Sequence, residues 1–567
     1  MNTLGIWDGH DSGAALLVDG SLVAAVNEER LTRRKLEIRF PARSIEACLS
    51  IAGLQPSQVH AVGASTSDVA KTLGRFAPWT KERYYLVRRR KVAPGVSSRL
   101  TRRAKYRMTT WPPNPLTRAA SGWLLRRTLG DMGFANARFE IFDHHECHAL
   151  GAAYASGFNS CAVLTIDGLG DGLSSTISVF RDGTLRRVAA SPASDSLGVL
   201  FEHVTTLLNM RELEDEGKVM ALADYASPVS DSDNPLLQLL RVADGRIHSA
   251  SGDLRSRLAA IHWRVPNEQF AFMAQRLVER VAVALAQDAV RMTGERRLVV
   301  TGGVASNIKA TRLARLSPGV DRLSVFPHMG DGGLALGAAV AASRRSGVEP
   351  RVDATSLALG PAFDDQRSRQ ALEAKGLRVE PANDLEGRVA GLLSERAVVM
   401  WFQGRMEYGP RALGQRSVLG RPDSIELRDR VNLAMKRRVW YQPFCPSMLM
   451  SDAARLLADW DGPDLSNPHM TMAYQVKPDH RPALAAVIGV DGSCRPQIVA
   501  DDAPTRFAGV LREMHRRTGY GVVLNTSYNV HGEPLVCTPE EAVDVFLRSG
   551  ADALALGPYL TLRGGRG

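Results

Sequence analysis

One helix-like stretch and the strand that follows it constrain this 567-residue chain more than any other feature. The stretch is Asp143-His144-His145-Glu146-Cys147-His148-Ala149-Leu150, and the strand is the apolar run Val163-Leu164-Thr165-Ile166, ending in Asp167-Gly168. Residues i and i+4 of a helix share one face, so His144 and His148 can present two imidazole nitrogens to one point in space. Asp167 is expected to close its strand and open a Gly-rich turn, where an α/β fold delivers side chains to its ligand crevice. Downstream, Pro327-His328-Met329-Gly330-Asp331-Gly332-Gly333 offers Asp331 as a second carboxylate, just before a small-residue helix, 334–342, suited to close packing on a neighbour. An HxxxH pair alone is more often two histidines of a helix surface; with the two aspartates it reads as a metal set of His144, His148, Asp167 and Asp331. Such donors suit iron or zinc better than calcium or magnesium, and also admit manganese.

A chain of this length outgrows one hydrophobic core, so two or more domains are expected. No apolar run reaches the ~18 residues of a membrane helix, and Met1-Asn2-Thr3-Leu4-Gly5-Ile6 enters a strand with no charged-then-apolar leader, so a cytoplasmic protein is expected. Six cysteines without a CxxC pair argue for reduced thiols rather than a disulfide framework or a cysteine zinc site. The formal net charge of +11 is local: from Lys71 to Arg127 sixteen Lys/Arg stand against one acid, Glu82, with Trp79, Tyr84, Tyr85, Tyr106 and Trp111 interleaved. That segment reads either as a site for an anionic partner, nucleic acid included, or as a solvated, mobile insertion of about 71–127.

Apolar runs at 4–7, 14–18 and 21–26, punctuated by Asp8-Gly9-His10-Asp11-Ser12-Gly13 and Asp19-Gly20, predict consecutive antiparallel strands. Apolar periodicity predicts a long helix over 270–292 feeding a strand at 298–300, which ends in Thr301-Gly302-Gly303-Val304-Ala305-Ser306-Asn307, a turn whose glycines let backbone amides approach a phosphate. The polar stretch 346–354 reads as a linker between a domain of 1–345 and one of 355–567. In the second, Arg405, Arg411 and Arg416 lie in a Gly/Pro-punctuated loop, and rigid guanidinium forks suit phosphate or carboxylate oxygens. Lys436-Arg437-Arg438 and Arg495 add cations, and Leu524-Asn525-Thr526-Ser527 adds small hydrogen-bonding groups.

Taken in order, Gly9-His10-Asp11-Ser12, Glu28-Glu29-Arg30, His144-His145-x-x-His148-Ala149, Asp167-Gly168, Glu216-x-Lys218-Val219-Met220, Gly302-Gly303-Val304-Ala305-x-Asn307, Gly330-Asp331, the run Phe402 to Gly414 and Leu524 to Asn529 with Gly532-Glu533-Pro534 resemble, over essentially the whole chain, the O-carbamoyltransferase family that tailors antibiotics and nodulation factors. The resemblance implies an α/β chain: an N-terminal two-lobed actin/Hsp70-like (ASKHA) metalloprotein domain, similar to the tRNA threonylcarbamoyltransferase, fused to a smaller YrdC-like α/β domain similar to threonylcarbamoyl-adenylate synthase. In such enzymes the smaller domain makes carbamoyl adenylate from carbamoyl phosphate and ATP with Mg2+, and the larger, holding Fe2+ or another divalent metal, transfers the carbamoyl group to a small-molecule hydroxyl. Carried over by motif, Arg411, Lys436, Gln442, Arg495, Asn525 and Ser527 would bind carbamoyl phosphate and ATP, Lys35, Gly198, Gly302, Gly303 and Asn307 the adenylate, and Asp11, Glu216 and Lys218 the acceptor. His10 or Asp11 would be the general base.

Two positions depart from the family pattern. Where relatives read Arg-Glu-x-Phe-Arg-Pro-Phe this chain has Arg438-Val439-Trp440-Tyr441-Gln442-Pro443-Phe444, and Gly489 stands where His-Val-Asp-Gly is familiar. Glutamine does not supply the charge of arginine, so the departure implies weakened donor binding or an altered donor. Two other functions fit parts of the chain: an RNA-modifying (threonyl)carbamoyl transferase, from the basic segment, and a nucleotide-binding protein with an impaired activating domain, from Gln442 and Gly489.

Overall fold

The computed structural model describes residues 1–95, 98–250, 252–460, 462, 467–530 and 532–564. The chain divides into two units, one of residues 1–28 and 36–354 and the other of 29–35 and 355–567.

The first unit repeats one sheet plan twice. Strands β1 (Asn2–Trp7), β2 (Gly13–Val18) and β3 (Ser21–Asn27) form an antiparallel meander, and β4 (Ala61–Ser65) and β5 (Arg138–Phe142) extend it in parallel, giving the order β3-β2-β1-β4-β5. The meander of β6 (Ser160–Gly170), β7 (Leu173–Arg181) and β8 (Thr184–Pro192) is likewise extended, past a separate hairpin of β9 (Leu240–Ala243) and β10 (Arg246–Ser249), by the parallel β11 (Arg297–Thr301) and β12 (Arg322–Val325), giving β12-β11-β6-β7-β8. This is an α/β unit built of two like halves. Each meander turns on an Asp-Gly pair with positive φ at both residues, Asp19-Gly20 (48° and 79°) and Asp182-Gly183 (45° and 76°), the two-residue hairpin turn that those residue types favour.

Three expectations shift. The long helix runs Asn267–Thr293, three residues earlier at its start than its apolar period indicated. Asp167 does not close its strand: pairing with β7 breaks between Ile166 and Gly170, so Asp167 sits in an irregular stretch that turns its side chain out of the ladder. Part of 346–354 is not loose, since Leu22 N–H donates to the Arg351 carbonyl and Arg351 N–H to that of Gly20.

Among the described residues the basic insertion forms four helices, Val69–Phe76, Pro78–Arg88, Ser98–Thr109 and Pro115–Asp131, two of them started by a proline at the first turn, where its missing N–H costs nothing. Several of its cations are internal. Lys71 and Arg75 both bind Asp8, Arg88 reaches Glu202 and Glu212, Arg89 binds Glu214 and Arg102 binds Glu212.

The second unit holds a seven-stranded mixed sheet in the order Gln497–Val499, Cys445–Leu449, Val522–Ser527, Arg416–Gly420, Val399–Phe402, Ala553–Leu556, Tyr559–Leu562. Helices Leu385–Ser394 and Arg506–Thr518 supply Val389, Leu393, Phe507 and Leu511 to a core around the fully buried Trp401. Residues Glu29–Lys35 belong here: Arg30 donates to the Gly409 carbonyl at 2.8 Å, and Arg33 to those of Leu535 and Pro534.

Candidate metal centre and cation nest

The helix His144–Ser156 begins where Asp143 accepts the Glu146 N–H and stops at Gly157 in the left-handed region. It packs against Leu334–Arg345 so closely that a Cβ on Gly337 would lie 1.9 Å from the Cys147 carbonyl oxygen, and this fixes the two histidines relative to Asp331 at the head of the second helix. His144, His148, Asp167 and Asp331 converge, with one donor atom of each within 4.8 Å of the others. His144 Nε2 lies 3.1 Å from Asp167 Oδ2 and 3.7 Å from Asp331 Oδ1; His148 Nε2 lies 3.6 Å from Asp331 Oδ1.

These residues fit a divalent cation. His148 Nε2 is buried and makes no hydrogen bond, an expense that a coordinate bond would remove. The outer atoms are tied back as a metal site requires: Asp167 Oδ1 accepts the Gly303 N–H at 2.7 Å, and His144 Nδ1 lies 3.0 Å from the Thr66 hydroxyl. Thr66 stands at φ 70°, rare for a β-branched residue, and Arg75 of the insertion holds its carbonyl at 2.8 Å. Burial opposes charge on His144, but the Asp167 hydrogen bond and the Asp331 and Asp171 charges prevail and raise its pKa to about 9. Burial raises the carboxyls of Asp167 and Asp331 less than their neighbours, chiefly His144 and His148 for the first and His10 for the second, lower them.

His10 joins this group and Asp11 does not. His10 Nδ1 lies 3.2 Å from Asp331 Oδ2, with its ring stacked on Tyr85 at 5.4 Å. Burial, outweighing Asp331 and Asp167, lowers its pKa, so the ring is neutral near pH 7. Asp11, at φ 58°, instead accepts from Asn27 Nδ2 and lies 3.7 Å from His328 Nε2.

The glycines gather at Asp167. A Cβ on Gly198 would meet the Asp167 carbonyl oxygen at 2.7 Å, and Gly302, at φ 93°, leaves 2.3 Å to that of Ile166. Asn307 is engaged elsewhere: its amide exchanges hydrogen bonds with Gln275 and caps the Ala310 N–H. Lys218 is paired with Asp215, while burial and the Glu202 charge raise Glu216 to about 8. Lys35 lies in the second unit, where its charge acts on Lys436.

In that unit Arg411, Arg438, Arg495 and Lys436 form a nest of cations. Burial and the Arg495 charge lower Arg411 to about 9, burial lowers Arg438 to about 10 against the Cys445 sulfur, and burial, Arg438 and Lys35 hold Lys436 well below its usual range. Among the described residues no carboxylate stands among the charges acting on these three, and Arg411 Nε makes no hydrogen bond. Arg495 donates to Cys445 Sγ, Lys436 to the Ser527 and Asn529 carbonyls, and Asn525 to the Ala412 carbonyl and Ser447, its own Oδ1 remaining buried without a partner. Gln442 is fixed through its backbone, which accepts from Asn432. Arg438, one of the consecutive cations Lys436-Arg437-Arg438, is joined here by Cys445, whose position no local sequence pattern marks.

The α/β units, the metal-type cluster of the first and the cation nest of the second are the frame in which the comparisons give the chain a family. Residues 2–340 match the model for the carbamoyltransferase N-terminus and 390–563 that for the carbamoyltransferase C-terminus, so the chain belongs to the carbamoyltransferase family and is a carbamoyltransferase. It is 32% identical to Nodulation protein NolNO of Sinorhizobium fredii over 97% of this chain and 78% of that protein. It is 28% identical to an uncharacterized protein of Methanocaldococcus jannaschii over 98% and 99% of the two. It is also 30% identical to the 3'-hydroxymethylcephem-O-carbamoyltransferase of Amycolatopsis lactamdurans over 57% and 60%.

Proposed function

We propose that this enzyme forms carbamoyl adenylate from carbamoyl phosphate and ATP in its C-terminal unit and, in its N-terminal unit, transfers the carbamoyl group to the hydroxyl of a small-molecule acceptor, as the cephem relative's name indicates for that protein. The observation that carries the reading is the cation nest: Arg495 acts with like charge on Arg411 and on Arg438, and Arg438 and Lys35 on Lys436, with no carboxylate among the described residues to offset them, a deficit that the phosphates of the two donors would fill. Neither donor is matched by a neutral substrate.

A divalent metal held by His144, His148, Asp167 and Asp331 supplies Lewis acidity, with Fe2+ our first choice. The remaining work falls to the chain. Gly302 and Gly303 let their turn close onto the Ile166 backbone and Asp167, where a Cβ would stand 2.3 Å from the Ile166 carbonyl oxygen and 3.0 Å from Asp167 Oδ1, and the adenylate would lie against this turn. Neutral His10, with Nδ1 turned to Asp331, has Nε2 free to take the proton as the acceptor oxygen bonds to the carbamoyl carbon and AMP departs with the electrons of the broken C–O bond. Detection of carbamoyl adenylate by mass, in a mixture of enzyme, carbamoyl phosphate, ATP and Mg2+, tests the first half; its absence with metal-loaded enzyme ends the proposal. His10→Asn should leave adenylate formation intact and cut transfer by roughly 10²–10⁴-fold, the usual worth of a general base.

A further inference from the structure

The insertion holds a half-buried cation that is packed on aromatic rings and has no acid partner among the described residues. Lys105 Nζ lies 3.7 Å from the centre of the Tyr84 ring and 4.4 Å from that of Tyr85. It donates to no acceptor and pairs with no acid among the described residues, although its neighbours in the insertion do: Lys71 and Arg75 share Asp8, and Arg88 has Glu202 and Glu212. The acid whose charge reaches Lys105, Asp68, already caps the Lys71 N–H, while Arg88, Lys81 and Lys71 all act on it with like charge. Burial and these cations hold its pKa well down, the condition of an ammonium lacking a counter-ion.

Its position gives that shortage a meaning. The Tyr85 ring touches both groups, with Lys105 Nζ 4.4 Å from its centre and the His10 ring stacked on it at 5.4 Å, and His10 Nδ1 lies 3.2 Å from Asp331 of the metal set. We propose that Lys105, backed by the Tyr84 and Tyr85 rings, is the acceptor-specificity element of this enzyme, taking a carboxylate-type anionic group of the acceptor while the acceptor's hydroxyl lies at His10. The inference rests on His10 standing beside the transferred group, as proposed above. An acceptor that carries its positive charge as an amine meets repulsion at this place, so selection works by rejection as well as by attraction.

Three probes of matched size test it in the full-length, metal-loaded enzyme: 3-hydroxypropanoate, its methyl ester and 3-aminopropan-1-ol. Binding of each is measured by titration calorimetry without donor, and carbamoylation by product mass with donor. The acid should bind at least about tenfold more tightly than ester or amine, the worth of a charge-assisted contact in a partly desolvated place. Lys105→Met should erase that preference by weakening the acid alone, and Lys105→Glu should turn it toward the amine. Arg83→Met, which removes an exposed cation of the preceding helix, should leave the preference as it was. Equal binding of acid and ester by the wild type, no binding of the acid, or the same loss in Arg83→Met as in Lys105→Met overturns the proposal. Because the binding arm needs no turnover, failure to form carbamoyl adenylate would count against the reaction and not against Lys105.

Discussion

His144 makes the metal site answerable to pH. Its folded pKa, raised to about 9 from 6.5, means that the metal-free protein gains stability from protonated His144 that is complete below 6.5 and is lost as pH rises through about 9. A metal needs the neutral ring, so its affinity should run the other way, climbing by up to roughly tenfold per unit over the same window as one proton ceases to compete. Melting curves of metal-free and metal-loaded protein between pH 6 and 9.5 should therefore diverge, and a metal-free midpoint that stays flat would refute the assignment. Arg411 poses the opposite trade. Removing a buried cation with an unmet Nε and a repelling neighbour, by Arg411→Met, should raise the stability of ligand-free protein by on the order of 1 kcal/mol, while the KM for carbamoyl phosphate rises at least about a hundredfold with the loss of its bidentate donor. A variant that melts lower and keeps its KM would show that the nest does not serve anions.

At the scale of elements, the contact between His144–Ser156 and Leu334–Arg345 sets the metal geometry, and a methyl at Gly337 has no room. Gly337→Ala should destabilise the chain by about 1–3 kcal/mol, as overpacking does, and weaken metal binding, because the Cys147 backbone it displaces lies between the two histidines. Gly122→Ala, in a helix with nothing within 4 Å of the new methyl, should instead stabilise by roughly 0.5–1 kcal/mol. Equal melting temperatures for the two variants would discount the close-packing account. This level of structure was also the most legible in the chain. The i, i+4 histidines, the small-residue helix and the Asp-Gly turns are local signals, so helix face and hairpin follow from them directly. The irregularity that turns Asp167 out of its ladder and the choice of His10 over Asp11 depend on long-range pairing with β7 and Asp331, which no local pattern records. The pairing of the insertion's cations is illegible for the same reason: the acids that hold Lys71, Arg75, Arg88 and Arg102 are Asp8, Glu202 and Glu212, and none lies within the basic run.

For the molecule as a whole, the unexpected fact is that the chain visits its C-terminal unit early. Residues Glu29–Lys35 sit in the motif that begins Glu28-Glu29-Arg30, which reads in sequence as part of one continuous N-terminal domain, yet their partners are Gly409, Pro534, Leu535 and Glu541. Arg30 is buried to 6% exposure, donates to the Gly409 carbonyl and lies 3.0 Å from the equally buried Glu29. Breaking a buried pair by removing one partner costs up to about 3–5 kcal/mol, because a buried charge then loses one of its offsetting contacts. Arg30→Met in the full-length enzyme should therefore weaken the C-terminal unit selectively, although the substitution lies near residue 30. Amide exchange should accelerate at Gly409 and over the sheet strand Arg416–Gly420, while β6 and β11 of the first unit keep their protection. Faster exchange confined to β1, β2 and β3 would instead mean that the segment stabilises the unit it follows in sequence, and that the C-terminal unit is complete without it.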